Sequence, residues 1–393
     1  MIHPVLSKDE ISELAKEFSV NNILKHHAYQ SKPLGFQEAY LLGVFSIYGY
    51  NPTQFPDTFQ MDPTIVEKQS IAALCALHNS HLYTQKNAAA QIAGITAAVF
   101  DYDIRVSKNG FLNPNVEFCM DNCGMGGDLF RTPNVSTISA LIAASQGIPF
   151  CKHGSPGNTD STGSSDFMKH CGVNLFSDKA NVEQAVELFN FGYTDAVDTG
   201  YKLIHVQTHK SAQLAHMNDI IGPITNPIIP EIMTKRIVGV NHLILPEVIA
   251  EAYQILNQKG VTNLQHGLFV RGFVDQKRNG GIDEISVFPG GSIVSELKQG
   301  EISSYELTAE DFGLPTADYF EVPSGKYGKA QFGKQILVGE ITGAPRDLIL
   351  ANASIIFYLQ GHSLEEGTNI ARNALESGAP LRNLEEFVKF NSR

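Results

Sequence analysis

Residues 116–173 read VEFCMDNCGMGGDLFRTPNVSTISALIAASQGIPFCKHGSPGNTDSTGSSDFMKHCGV, and the fold turns on them. A short apolar segment enters a glycine turn, Gly124-Met125-Gly126-Gly127-Asp128. After a few polar residues, the small, apolar run over 134–145 has helical character, and Gly147 ends it. Residues 148–151 form a second strand leading into Lys152-His153-Gly154. Strand, helix and strand, with glycines at the carboxyl end of the first strand, make a βαβ unit. In a parallel α/β sheet the ligand crevice lies at that end.

The residue types point to an anion. Glycines bring the backbone and its N–H groups close to a ligand. The helix start at Asn134, Ser136 and Thr137 adds donors and the positive end of a dipole. Lys152 supplies a mobile point charge. A tight turn and an ordinary helix cap would explain each feature alone. Together in one unit they suit phosphate or pyrophosphate.

Working outward, residues 7–48 read as helices, opened by a capping box at Ser7 and Glu10. Residues 64–80 and 87–102 continue an all-helical region, the latter with the small-residue run AAAQIAGITAAVF. Beyond the βαβ unit, helices are expected over 164–171, 181–191, 246–258, 345–359 and 363–377. Strands are expected over 237–240, 264–270 and 301–307, and a rigid turn over 221–227. This alternation predicts an α/β fold: a small all-helical domain plus a larger α/β domain with a mostly parallel central sheet. The expected boundaries are 1–108 for the helical domain, joined by 201–226, and 109–393 for the α/β domain.

The 393 residues carry a formal charge of -12, which disfavours a general nucleic-acid or acidic-membrane surface. Five cysteines with no zinc spacing fit a reducing cytoplasm, and the acidic first residues lack the basic start of a signal peptide. His205, His209 and His216 crowd one segment. His205 and His209 are four apart, but without the glutamate of a zinc protease they read as a polar wall facing substrate. Asp283-Glu284 is different. Adjacent carboxylates beside a glycine loop suit Mg²⁺, which takes one or two carboxylates together with phosphate oxygens.

The chain resembles the anthranilate phosphoribosyltransferases, and more widely the glycosyltransferase group that includes the pyrimidine nucleoside phosphorylases. The resemblance rests on Gly124-Met125-Gly126-Gly127-Asp128, where the family has Gly-Thr-Gly-Gly-Asp, and on Asn134-Val135-Ser136-Thr137. Lys152-His153-Gly154, Gly163-Ser164-Ser165-Asp166, Gly222-Pro223-Ile224-Thr225-Asn226-Pro227, Asp283-Glu284 and the tail from Arg346 to Ala353 extend it. It implies phosphoribosyl pyrophosphate (PRPP) on Gly124, Gly126, Gly127, Asp128, Asn134, Ser136, Thr137, Lys152 and Gly154. It implies Mg²⁺ near Ser136, Asp283 and Glu284, a site in the hinge cleft, and a homodimer formed by the helical domains. His153 is the nearest candidate proton acceptor.

The departures fall on the acceptor side. The family's Lys-His-Gly-Asn-Arg is Lys152-His153-Gly154-Ser155-Pro156 here, and its Ser-Ser-Lys is Thr159-Asp160-Ser161. Residues 202–219 contain no arginine to pair with a carboxylate. These changes imply a pentosyltransferase acting on an aromatic or heterocyclic acceptor other than anthranilate. A nucleoside-phosphorylase-like enzyme and a catalytically silent ligand-binding relative are the alternatives.

Overall fold

The computed structural model describes residues 4–30, 33–55, 59, 61–79, 87–157, 163–202 and 216–392. By backbone contacts these form two units. One comprises Met1–Phe111, Ala196–Pro227 and Glu251–Asn263; the other comprises Leu112–Asp195, Ile228–Ala250 and Leu264–Arg393.

The first unit is helical: α1 (Lys8–Glu17), α2 (Val20–Gln30), α3 (Phe36–Tyr50), α4 (Pro63–Asn79) and α5 (Ala88–Val99) precede a single π turn. Ser7 caps α1 as the sequence predicts, with the Ser7 hydroxyl and the Glu10 carboxylate bonding each other's backbone N–H. α3 is buried from Ala39 to Gly49, and α5 is buried on nearly every side. They approach closely because Gly43 and Gly94 carry no side chain: a Cβ on Gly94 would lie 2.4 Å from the Phe36 carbonyl.

The second unit is built on a seven-stranded sheet: β1 (Met120–Gly124), β2 (Phe150–Gly154), β3 (Phe191–Asp195), β4 (Lys235–Gly239), β5 (His266–Gly272), β6 (Ser292–Lys298) and β7 (Glu301–Leu307). The strand order is β3-β2-β1-β4-β5-β6-β7. β1 to β5 are parallel, and β6 and β7 run antiparallel at one edge. The mostly parallel sheet expected from the sequence is present. Around it lie α6 (Val135–Ala144), α7 (Ser164–His170), α8 (Lys179–Phe189), α11 (Lys326–Leu337), α12 (Ala344–Tyr358), α13 (Leu364–Glu376) and α14 (Ala379–Asn391). α9 (Asn218–Ile224) and α10 (Pro246–Gln258) complete the order.

α6, α12 and the sheet bury one apolar core that includes Ile138, Leu141, Phe150, Leu268, Leu350 and Ile356. Burial of such side chains stabilises a fold by about 1.5–3 kcal/mol each. Strand order reverses at β1, where β2 lies on one side and β4 on the other. The carboxyl ends of β1 and β4 therefore mark the switch point at which α/β sheets bind ligands.

Two local expectations are corrected. Residues 221–224 belong to the short helix α9 rather than to a rigid turn. Pro223 is tolerated there because the helix ends one residue later, where the Thr225 hydroxyl donates to the Ile221 carbonyl. α11 and α14 were not anticipated: glycines interrupt α11, and a Gly-Ala-Pro sequence opens α14. His205 and His209 lie outside the described residues. His216 is buried, and its Nδ1 accepts from the Asn218 N–H at 3.1 Å. Among the described residues no helix is long and apolar enough to cross a membrane.

Candidate active site

The glycine turn leaves β1 with Gly126 at φ +70° and Gly127 at φ +79°, left-handed conformations that strain any side-chain-bearing residue. Nothing would meet a Cβ at either position within 4 Å, so both backbones face open space. Gly124 does another job. A Cβ there would fall 2.0 Å from Asp283 Oδ2, and one on its register partner Gly239 would fall 1.6 Å from the Asp283 carbonyl. The two strand-end glycines thus form a notch that seats Asp283. Gly126 N–H donates to Asp283 Oδ2 at 2.7 Å and ties the turn to that acid. Gly154 likewise makes room for the Ser164 hydroxyl and Tyr193.

Asp283, Glu284 and Asp128 each place one carboxylate oxygen within 4.8 Å of the others. Thr132 Oγ1 donates to Glu284 Oε1 at 3.1 Å. From α12, Asn352 bonds both the N–H and the C=O of Ile285 at 2.9 Å, fixing the segment that carries the acids. Asp128 Oδ1 and Glu284 Oε2 are buried without a hydrogen-bond partner among the described residues. Burial first, and then the neighbouring carboxylates, raises the pKa of Asp128 and of Glu284 well above the ordinary carboxylate range. Lys329 of α11 opposes this at Glu284. Burial lowers the Arg271 guanidinium to about 10, against a pull from Asp128. Buried acids crowded together with unmet oxygens are the donor set of a divalent cation. These residues fit Mg²⁺. Asp128, which the sequence placed among phosphate contacts, belongs to this set. Ser136, also expected near the metal, has its hydroxyl accepting from Lys152 Nζ at 3.2 Å.

Lys152 is not the mobile charge expected of it. It is buried, and its ammonium donates to the Asn122 carbonyl, to Asn122 Oδ1 at 3.4 Å and to Ser136. β2 carries Lys152 beneath the first turn of α6, where those acceptors converge. Asn134 occupies the cap position of α6 without a side-chain cap; its Nδ2 donates to the Gly163 carbonyl at 3.3 Å. Thr137 Oγ1 is buried with no partner among the described residues.

His153 lies inside the sheet, its Nδ1 2.9 Å from Asp121 Oδ2, and Arg236 Nη2 donates to the same oxygen at 2.7 Å. Asp121, His153 and Arg236 stand on the adjacent strands β1, β2 and β4, so the cluster ties them together. Burial alone would raise the Asp121 pKa, but His153 and Arg236 outweigh it and hold the carboxyl below its usual range.

The sheet, its switch point and the acidic turn define an α/β enzyme with a cation-assisted anion site. Residues 117–381 match the glycosyl transferase family, a/b domain, and the chain belongs to that family as a pentosyltransferase of the anthranilate phosphoribosyltransferase kind. Anthranilate phosphoribosyltransferase of Haloarcula marismortui is 32% identical over 330 residues, which cover 83% of this chain and 92% of that one. The structure of anthranilate phosphoribosyltransferase from Thermus thermophilus matches with a TM-score of 0.70 and 25% identity over 93% of this chain and 98% of that one. That of the Saccharomyces cerevisiae enzyme in complex with PRPP and Mg shares the fold, with a TM-score of 0.72 and 22% identity over 95% and 98%.

Proposed function

We propose that the chain transfers the phosphoribosyl group of PRPP to a nitrogen of a small aromatic amine, with release of pyrophosphate. One observation carries the reading: the carboxylates of Asp128, Asp283 and Glu284 converge beside the glycine turn at the switch point of the sheet, with unmet oxygens on Asp128 and Glu284. A Mg²⁺ held there would neutralise charge on the leaving pyrophosphate. The chain's own part is placement. Asp283 and Glu284 are fixed by the Gly124–Gly239 notch and by Asn352. The open Gly126–Gly127 backbone and the first turn of α6 offer N–H donors where negative charge grows. With C1 becoming oxocarbenium-like, positioning and electrostatics supply most of the rate. A proton-accepting role for His153 would run through its other nitrogen, with Asp121 orienting the ring. The helical unit is proposed as the homodimer contact.

The relatives are named anthranilate phosphoribosyltransferases, and those names do not support the sequence-based expectation of another acceptor. Anthranilate is therefore the first acceptor to assay. A second reading, an acceptor without a carboxylate, is favoured by the absence of arginine from residues 202–219. Lys202, the one lysine of that stretch within the described residues, donates to the Thr225 carbonyl at 2.8 Å and to the Thr225 hydroxyl at 3.1 Å. The test is pyrophosphate release from PRPP and Mg²⁺ with anthranilate and with a panel of uncharged aromatic and heterocyclic amines. Release with anthranilate would remove the second reading. Absence of PRPP binding in calorimetry would refute phosphoribosyl transfer.

A further inference from the structure

The lysine expected to meet the phosphates, Lys152, has its ammonium committed to Asn122 and Ser136. The second cation of the family pattern is lost at Ser161, and an acid is gained beside it at Asp160. A diphosphate brought to the acidic turn therefore needs a cation from elsewhere in the chain.

α11 carries one. A Cβ on Gly333 would lie 3.1 Å from the Phe167 ring of α7 and 3.3 Å from Ile138 in the first turn of α6, so this stripe of α11 faces those two helices. Positions three and four residues back along a helix share its face. Ala330 is buried there, and Lys326, at the start of the helix, pairs with Asp166 at 3.3 Å. Lys329 lies between them, one turn from Gly333; Asp166 also accepts from the Gly163 N–H, and Asn134 at the start of α6 donates to the Gly163 carbonyl, which sets this part of α11 toward the amino end of α6. It is half-buried, its N–H donates to the Gly325 carbonyl at 3.1 Å, and its ammonium makes no hydrogen bond or ion pair with a described residue. Burial lowers its pKa, while Glu284, Asp283 and Asp128 draw it back up. The ammonium thus stands in the field of all three acids without direct contact with any of them.

We propose that Lys329 binds the pyrophosphate group of the donor, as an organic counter-cation beside the metal. The proposal rests on the phosphoribosyl-transfer reading. It needs no movement of Lys152, and it gives α11 a part in substrate binding.

The experiment is calorimetric titration of the full chain with PRPP at saturating Mg²⁺, comparing wild type, K329M and K329R, with thermal melts to verify folding. K329M should weaken PRPP binding about tenfold or more, the size of a lost charge-assisted hydrogen bond. K329R should restore it to within about threefold. In turnover, KM for PRPP should rise in K329M while KM for the acceptor stays unchanged, a split that a merely structural lysine would not produce. Should K329M not fold, K329Q serves in its place. Wild-type binding with K329M within twofold of it overturns the proposal alone. Absence of PRPP binding by wild type overturns the function beneath it as well.

Discussion

Replacing Glu284 by glutamine should stabilise the metal-free chain and remove most of its response to Mg²⁺. The three acids place oxygens within 4.8 Å of one another. At an effective dielectric of about 20, two full charges at that separation repel by about 3 kcal/mol. Part of this is relieved by protonation, which is why Asp128 and Glu284 titrate above the ordinary carboxylate range. The realised gain in E284Q is then about 1–2 kcal/mol, or a rise in Tm of about 1–3 °C for a chain of this length. The isostere keeps an oxygen for Thr132 and adds a donor facing its acidic neighbours. The sign follows from proton counting. The folded chain holds protons that the unfolded chain releases, so this group's contribution to stability falls as pH rises from the usual carboxylate pKa to the raised one. Melts in EDTA should show E284Q above wild type at pH 8, with the gap closing toward about pH 4.5. Mg²⁺ at a hundredfold over its Kd stabilises a single-site protein by about 2.7 kcal/mol, and E284Q should gain less than half of what wild type gains. E284Q melting below wild type in EDTA, or keeping the full Mg²⁺ shift, would refute the reasoning.

Asp121→Asn should cost about 3–5 kcal/mol, because Arg236 and His153 lose a buried carboxylate. With its folded pKa depressed, the Asp121 contribution is fully present above the unfolded value near pH 4 and is lost only as pH falls through the folded one. Urea melts should therefore show the deficit at both about pH 5 and about pH 8, since Arg236 stays charged throughout; wild-type stability at either pH would count against the ion cluster. Gly124→Ala should abolish Mg²⁺ stabilisation although residue 124 offers no ligand, since the new Cβ would sit 2.0 Å from Asp283 Oδ2. A normal Mg²⁺ titration in G124A would show that Asp283 does not need its notch.

The parts of this chain that can be read from its sequence are those whose physics is local. The Ser7–Glu10 box, the glycine turn and the small-residue helix after it each declare themselves within a few residues, and the β7 and α10 spans match their expected bounds. Asp283-Glu284 is legible as a pair because the two are adjacent. What sequence could not give is what distant segments do to one another. Lys152 looks free until β2 places it under Asn122, and nothing near Asp128 in the sequence announces that residues 283 and 284 come beside it. Lys329 had no signal at all, since its helix is broken up by Gly328 and Gly333 and its partners lie far away in the chain. The Asn352 side chain, by contrast, stood in the recognisable tail, and only its bonds to Ile285 reveal its purpose.

The seating of Asp283 against Gly124 and Gly239 has an evolutionary side. Three positions remote from one another in sequence form one unit of inheritance: the Asp283 side chain fits only where residue 124 lacks a Cβ, and its backbone carbonyl only where residue 239 does. In a drifting lineage, the glycine at 124 becomes free to vary only once the acid is no longer needed, whereas the one at 239 is held by the path of the backbone at 283. A relative that keeps Asp283 but carries a bulkier residue at 124 or 239 would be expected to have moved its metal, or to have given up the chemistry that depends on it.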